Sequence, residues 1–292
     1  MTSAQRSPYL DVFANRTYAG NQLAVVTHAD DLSTETMQLI AAETNYSETT
    51  FVNAQPEADG GYRVRLFTPA RELAFAGRPL VGTAWAIRRF MEPEASGPVR
   101  LNLQLGPVPV RFEAGADGET LWFRAPPVTL GATCQREAMA AALGIEPDDI
   151  DPATPVRQAA AGTAAMIVPL RSLAALKRSR LNLDAYAPLL AQGFPPLTYL
   201  FTHETHDAAS DLCVRFFFEA HGVREDPATG NGAAFLGAYL LEYGHADVDL
   251  RIEQGHEMRR PSQVRLRAHR VDGAPEIEVG GQAVLTVRGE LV

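Results

Sequence analysis

Two short stretches decide how this chain is read: Phe75-Ala76-Gly77-Arg78-Pro79-Leu80-Val81-Gly82-Thr83-Ala84 and Ala228-Thr229-Gly230-Asn231-Gly232-Ala233-Ala234-Phe235-Leu236-Gly237-Ala238. Each sets a glycine and a polar residue ahead of a run of small and apolar residues that carries a further glycine. Pro79 suits the first turn of a helix and the pair Arg88-Arg89 suits its last, so the first stretch predicts a helix over 79–90. The second predicts a helix over 230–243, stopped by Gly244. Both are apolar nearly all round, as buried helices are. We read them as the centres of a duplicated unit, in which strands wrap one central helix and the whole is present twice.

Outward from the first helix, strands are expected at 9–13, 23–27, 47–52, 62–68, 101–105, 108–113 and 120–124. The clearest is Tyr62 to Thr68, YRVRLFT, where apolar and polar residues alternate with period two. Ala19-Gly20-Asn21 reads as a turn, Ser33 as the N-cap of a helix over 34–42, and the stretch ARELAFAG as a loop. Pro126-Pro127 marks the expected domain boundary. Beyond it the same rhythm returns. A helix at 136–143, a strand at 164–169, two helical stretches between 172 and 192, and strands at 197–202 and 212–218 precede the second central helix. Strands at 248–253, 263–269, 276–279 and 283–291 follow it.

The composition limits the classes of function. The chain has 292 residues, is 46% hydrophobic and 21% charged, and carries a formal net charge of −9, with a mean hydropathy of −0.11. This is a globular composition, long enough for two domains. The acidic balance gives no attraction to a phosphate backbone, so nucleic acid is not an expected partner. No window approaches the ~18 apolar residues of a membrane span, and MTSAQRSPY lacks the layout of a signal peptide, so no membrane association and a cytoplasmic location are expected. The GxGxxG and GxxxxGK[ST] patterns are absent, which leaves nicotinamide, flavin and nucleotide cofactors unsupported, and there is no GxSxG elbow. Cys134, in a loop-like GATC stretch, and Cys213 are expected to be reduced and structural. His203-Glu204-Thr205-His206 reads as a polar loop without a third ligand nearby, so no metal is expected.

The chemistry is expected at the two helix openings. A helix N-terminus offers unpaired N–H groups and the positive end of its dipole, so two openings facing one cleft would grip a carboxylate. Glu48 is the one carboxylate in the strand SETTFV, and Asp226 lies just upstream of the second opening in REDPATG. Taken singly, Glu48 could face solvent and Asp226 could serve a turn. Brought together in an apolar cleft, the pair would have raised pKa values, which suits general acid and base work near neutral pH.

Five stretches in order carry a resemblance over nearly the whole length: DVFANRTYAGNQLAVV, TNYSETTFV, RLFTPARELAFAGRPLVGTAWAI, VREDPATGNGAAFLGAYL and QGHEMRRPS. Together they resemble the PhzF-like family of phenazine-biosynthesis-type isomerases. The resemblance implies an α+β, diaminopimelate epimerase-like fold of two pseudo-symmetric domains, each an antiparallel sheet rolled around a central helix. Residues 1–125 with the C-terminal strand 282–292 would form one, residues 126–281 the other, with the active site in the cleft between them. It further implies Glu48 as the main acid/base, Asp226 in the same site, no cofactor and a homodimer. Gly77, Arg78, Gly230, Asn231, Asn21 and Ser47 complete the expected substrate-binding set.

Two positions depart from the family pattern. Arg78 stands where a histidine usually follows Phe-Ala-Gly. A guanidinium stays protonated, so it cannot relay a proton, but its fork binds a carboxylate bidentately. Asn231 stands where serine is frequent and keeps a hydrogen-bonding side chain. Related epimerases place a cysteine thiol at each opening, whereas this chain has none there. The expected function is therefore a cofactor-independent isomerase that shifts a proton and a double bond in a small, dihydro-hydroxyanthranilate-like carboxylic acid. A racemase using Glu48 and Asp226 on opposite faces, and a small-anion binding protein without chemistry, are the alternatives.

Overall fold

A parallel pair of strands needs a crossover long enough to carry the chain back to its starting end, and in this protein the two apolar helices are such crossovers. The computed structural model describes residues 6–218 and 223–291. It divides into two units, one running to Arg124 and resuming at Gly280, the other spanning Ala125–Val279.

The first unit contains β1 (Arg6–Val12), β2 (Asn21–Thr27), α1 (Thr34–Thr44), β3 (Glu48–Val52), β4 (Tyr62–Phe67), β5 (Glu72–Leu73), α2 (Gly77–Phe90), β6 (Val99–Leu103), β7 (Gly106–Gly115) and β8 (Gly118–Arg124). The second contains β9 (Thr129–Cys134), α3 (Arg136–Leu143), β10 (Val156–Ala161), β11 (Thr163–Pro169), α4 (Leu173–Arg178), α5 (Leu183–Ala191), β12 (Thr198–Thr202) and β13 (Leu212–Phe218). It continues with β14 (Val223–Asp226), α6 (Gly230–Glu242), β15 (Asp247–Gln254), β16 (Ser262–Val271) and β17 (Ala274–Gly281), after which β18 (Ala283–Glu290) pairs antiparallel with β1.

The duplication is visible in the order of the strand junctions. β1/β2 is antiparallel, β2/β3 parallel, β3/β4 antiparallel, β4/β6 parallel and β6/β7 antiparallel. β10/β11, β11/β12, β12/β13, β13/β15 and β15/β16 repeat that order. In both units a short strand, β5 or β14, hairpins off the strand before it and leads into the central helix.

Each central helix sits among its own strands. α2 touches β1, β2, β3, β6, β7, β8 and β18, and α6 touches β9, β10, β11, β15 and β16. Leu80, Val81 and Ile87 are wholly buried, each worth roughly 1.5–3 kcal/mol of apolar transfer. Thr83 donates its hydroxyl to Thr50 Oγ1 at 2.9 Å, which fixes α2 against β3. In α6 the backbone of Gly232 lies so close to Tyr199 that a Cβ there would fall 2.3 Å from the ring. Among the described residues, no helix is long and apolar enough to cross a membrane.

Four short strands differ from the sequence reading. The ARELAFAG stretch, expected as a loop, contains β5 and the first residue of α2. β9 holds Cys134 in a strand rather than a loop, and β10 and β14 have no counterpart among the expected strands. Glycine in β9, alanines in β10 and charges in β14 remove the alternation that would mark a strand, and sheet neighbours supply the order instead.

Candidate active site

Glu48 opens β3, in register with Leu23 of the parallel neighbour β2. Side chains on a strand alternate, so Glu48 shares a face with Thr50, whose hydroxyl is bonded to α2. The carboxylate therefore turns toward the central helix. There it forms an ion pair with the guanidinium of Arg78, the second residue of α2. Arg78 is 5% exposed and the Glu48 side chain 15%, so the pair is largely withdrawn from water and still reachable. Ala76, the N-cap of α2, supplies no side-chain hydrogen bond to the first turn that begins at Gly77. Asn21 is buried at the start of β2, two residues before the register partner of Glu48, while Ser47 is exposed at the bend before β3.

The second unit builds an acid loop in front of α6. Asp226 ends β14 and accepts the hydroxyl proton of Thr229, the N-cap of α6. Gln254, wholly buried at the end of β15, holds both: its Nε2 donates to the Asp226 carbonyl at 2.7 Å and to Thr229 Oγ1 at 3.1 Å. Its Oε1 accepts the Thr229 backbone N–H at 3.1 Å. Gly230 is buried and Asn231 half-buried in the first turn that follows.

One residue upstream of Asp226, Glu225 is clamped by Arg215, both about as buried as core leucines. Arg215 donates from Nε and Nη2 to the two oxygens of Glu225, at 3.0 and 2.8 Å, and from Nη1 to the Leu176 and Ser179 carbonyls at 3.0 and 2.9 Å. Sequence reasoning passes over Thr229, Gln254, Arg215 and Glu225. Gln254 begins the QGHEMRRPS stretch, and that is the available signal.

His203 and His206 do not converge. The His203 ring packs edge-on to Phe201, while His206 turns to Cys213 and Glu253. Burial and the charges of Glu253 and Glu257 push the Cys213 thiol far up, against a smaller opposing pull from Lys177. Burial likewise raises Cys134. Both cysteines are free and lie on strands, neither at the opening of α2 or α6.

Comparison with known proteins places the chain in a family. The model of the family described as phenazine biosynthesis-like protein matches residues 10–289. The chain belongs to that PhzF family. A trans-2,3-dihydro-3-hydroxyanthranilate isomerase of Pseudomonas aeruginosa is 34% identical, the alignment covering 96% of each chain. An uncharacterized isomerase of Mesorhizobium japonicum is 35% identical, again with 96% of each covered. Among solved structures, a PhzF-family phenazine biosynthesis protein of Bacillus anthracis superposes with a TM-score of 0.89 at 26% identity, covering 99% of both chains. This PhzF-family member is accordingly an isomerase with the diaminopimelate epimerase-like α+β fold that the sequence implied.

Proposed function

We propose that this isomerase moves a proton, and with it a double bond, within a small unsaturated carboxylic acid of the dihydro-hydroxyanthranilate class. The observation that carries the reading is the Glu48–Arg78 pair: a strand-borne carboxylate, partly accessible, held by a buried cation at the α2 opening. The names of the relatives support the substrate class.

In the proposed reaction, Glu48 takes a proton from a carbon of the substrate. The electron pair left behind spreads through the conjugated system toward the substrate carboxylate. Arg78 and the first-turn amides at Gly77 and Gly230 stabilise that charge as it develops, the use to which helix N-termini and preorganised donors are suited. Glu48 then returns the proton at the far end of the shifted double bond. One proton leaves and one returns, so the step is redox-neutral and asks for no hydride or electron carrier.

Arg78 has a second task before substrate arrives. Its guanidinium holds the Glu48 carboxylate in an ion pair at the α2 opening. An incoming carboxylate competes for the same fork and loosens that pair, which frees Glu48 to meet the substrate. Asp226 receives the substrate amine or hydroxyl, with Asn21, Ser47 and Asn231 as further hydrogen-bonding groups. Neither opening carries a thiol, which disfavours the two-cysteine route of racemases. A homodimer belongs to the same proposal and rests on the family resemblance, and a cytoplasmic location is carried over with it from the sequence reading.

The test is solvent deuterium incorporation, followed by proton NMR, with a panel of dihydroanthranilate-like and unsaturated amino or hydroxy acids. Wild type should label one compound at the position of the shifted double bond, and Glu48→Gln should lower the rate by roughly 10²–10⁴ while still binding it. Labelling that inverts a stereocentre without moving a double bond would replace isomerase by racemase. Binding without labelling would leave only the anion-binding reading.

A further inference from the structure

We propose that His206, Cys213 and Glu253 form a binding site for a zinc-class divalent cation, separate from the acid/base groups above. His206 lies in the 203–211 loop, Cys213 on β13 and Glu253 on β15, and β13 and β15 are parallel neighbours with Cys213 directly in register with Glu253. The side chains therefore meet because of the sheet, and the third ligand that the His203 to His206 stretch lacks in sequence arrives from a distant strand.

The spacing of the donor atoms fits tetrahedral coordination. His206 Nδ1 lies 3.6 Å from Cys213 Sγ and 3.2 Å from Glu253 Oε2, and one ligand atom from each of the three residues lies within 4.8 Å of the others. Ligand bonds of about 2.0–2.3 Å at a tetrahedral angle put a nitrogen and a sulfur roughly 3.6 Å apart, and a nitrogen and an oxygen roughly 3.4 Å apart. Small side-chain movements close the remaining difference.

The surroundings hold the ligands in place. Glu253 accepts the backbone N–H groups of His206 at 2.8 Å and Asp207 at 2.7 Å, which fixes the carboxylate against the loop that carries the imidazole. The His256 ring stacks on His206 with centroids 3.9 Å apart and planes within 6°, which sets the plane of the ligating ring. A parallel stacked ring cannot aim its lone pair at the same point, so His256, whose Nε2 lies 3.8 Å from Glu253 Oε2, orients the ligands and is not itself one of them. Cys213 and Glu253 are buried, while His206 is partly exposed and gives the ion an entrance.

The charges balance. Binding takes the proton from Cys213 Sγ to solvent and shifts the imidazole proton of His206 to Nε2, leaving Nδ1 to coordinate. One thiolate, one carboxylate and one neutral imidazole then face a dication. A soft sulfur beside a nitrogen favours zinc over magnesium or calcium, which prefer oxygen. Glu253 directly precedes Gln254, so an occupied site would stiffen the strand end that holds Asp226.

The test uses the full chain, stripped with a chelator and titrated with cobalt(II) as probe and with zinc(II) in competition with a chromophoric chelator. Wild type should take up one equivalent of cobalt with a thiolate-to-cobalt charge-transfer band, which zinc abolishes. Cys213→Ser should lose the band. His206→Gln, at the exposed ligand where folding is not at stake, should weaken zinc binding at least tenfold, and Glu48→Gln and His203→Gln should leave it unchanged. Wild type without the band, or His206→Gln binding zinc as wild type does, overturns the proposal. So does an equal loss on His203→Gln.

Discussion

Arg215 Nη2 lies 2.8 Å from Glu225 Oε2, and this buried, bidentate pair ends one residue short of Asp226. The strand that presents Asp226 is thus anchored by a cation whose remaining donors reach backbone carbonyls near the end of α4. Removing Glu225 leaves the buried Arg215 with only the more distant Glu257, at 3.9 Å, as counter-charge. Glu225→Gln should cost about 3–5 kcal/mol of stability, read from urea denaturation. A double Arg215→Met, Glu225→Leu variant should recover much of it, because a buried pair is worth little more than well-packed apolar groups. Unchanged stability in Glu225→Gln would show that the pair is not a structural anchor.

Gln254→Ala should harm the site more than the fold. The Asp226 carbonyl and the Thr229 N–H both lose their side-chain partner, at about 1–3 kcal/mol for each group left unsatisfied. We expect kcat to fall further than KM rises, since Asp226 loses the contacts that orient it while its side chain remains. Steady-state kinetics beside a melting curve make the comparison, and a change in KM alone would assign Gln254 to substrate binding.

Arg78→Ala should raise KM by about tenfold or more, and Arg78→Lys should restore only part of it, because an ammonium cannot replace the planar fork. Ligand affinity by calorimetry separates this from a folding defect. Equal affinity in wild type and Arg78→Ala would remove Arg78 from substrate binding.

Gly232→Ala should lower stability by about 1–3 kcal/mol through overpacking, since its Cβ would meet Tyr199 at 2.3 Å. A Tyr199→Leu background opens the space and should make the same substitution nearly neutral. Additive losses in the double variant would show that the close approach is not the cause.

Tyr62 should titrate late. Burial, a hydrogen bond to Glu92 and the charge of Glu92 raise its phenol to about 12. The raised folded value means its contribution to stability is complete below the unfolded pKa of about 10 and is lost as pH rises toward the folded one. Tyr62→Phe should therefore flatten the decline of stability above pH ~10. A tyrosine absorbance titration complete near pH ~10 would contradict this.

The two central helices and most strands were legible because burial leaves a periodic trace. Period-two alternation has its clearest case in YRVRLFT, and α2 and α6 show small, apolar runs bounded by proline, glycine and basic residues. β9, β10 and β14 left no such trace, because neighbours in the sheet and not their own side chains keep them extended. Glu48 and Arg78 could be nominated from the sequence, yet their direct pairing depends on Thr50 and Glu48 sharing the face of β3 that α2 covers. The contacts of Gln254 and of the His206, Cys213 and Glu253 group were illegible for a simpler reason. Residues far apart in the chain meet there only through the sheet, as Gln254 meets Asp226 and Glu253 meets Cys213.

β1 lies between β2 and β18, so one edge of the first strand finds its partner only in the last. During synthesis the ribosome releases the middle of the protein, including everything between Ala125 and Val279, before it releases the strand that this edge requires. The unit that begins first therefore finishes last. Until then the newborn chain carries an unsatisfied strand edge in the same sheet as Glu48, the kind of edge that recruits other chains, and the speed at which the closing strand emerges becomes part of how safely this isomerase is made.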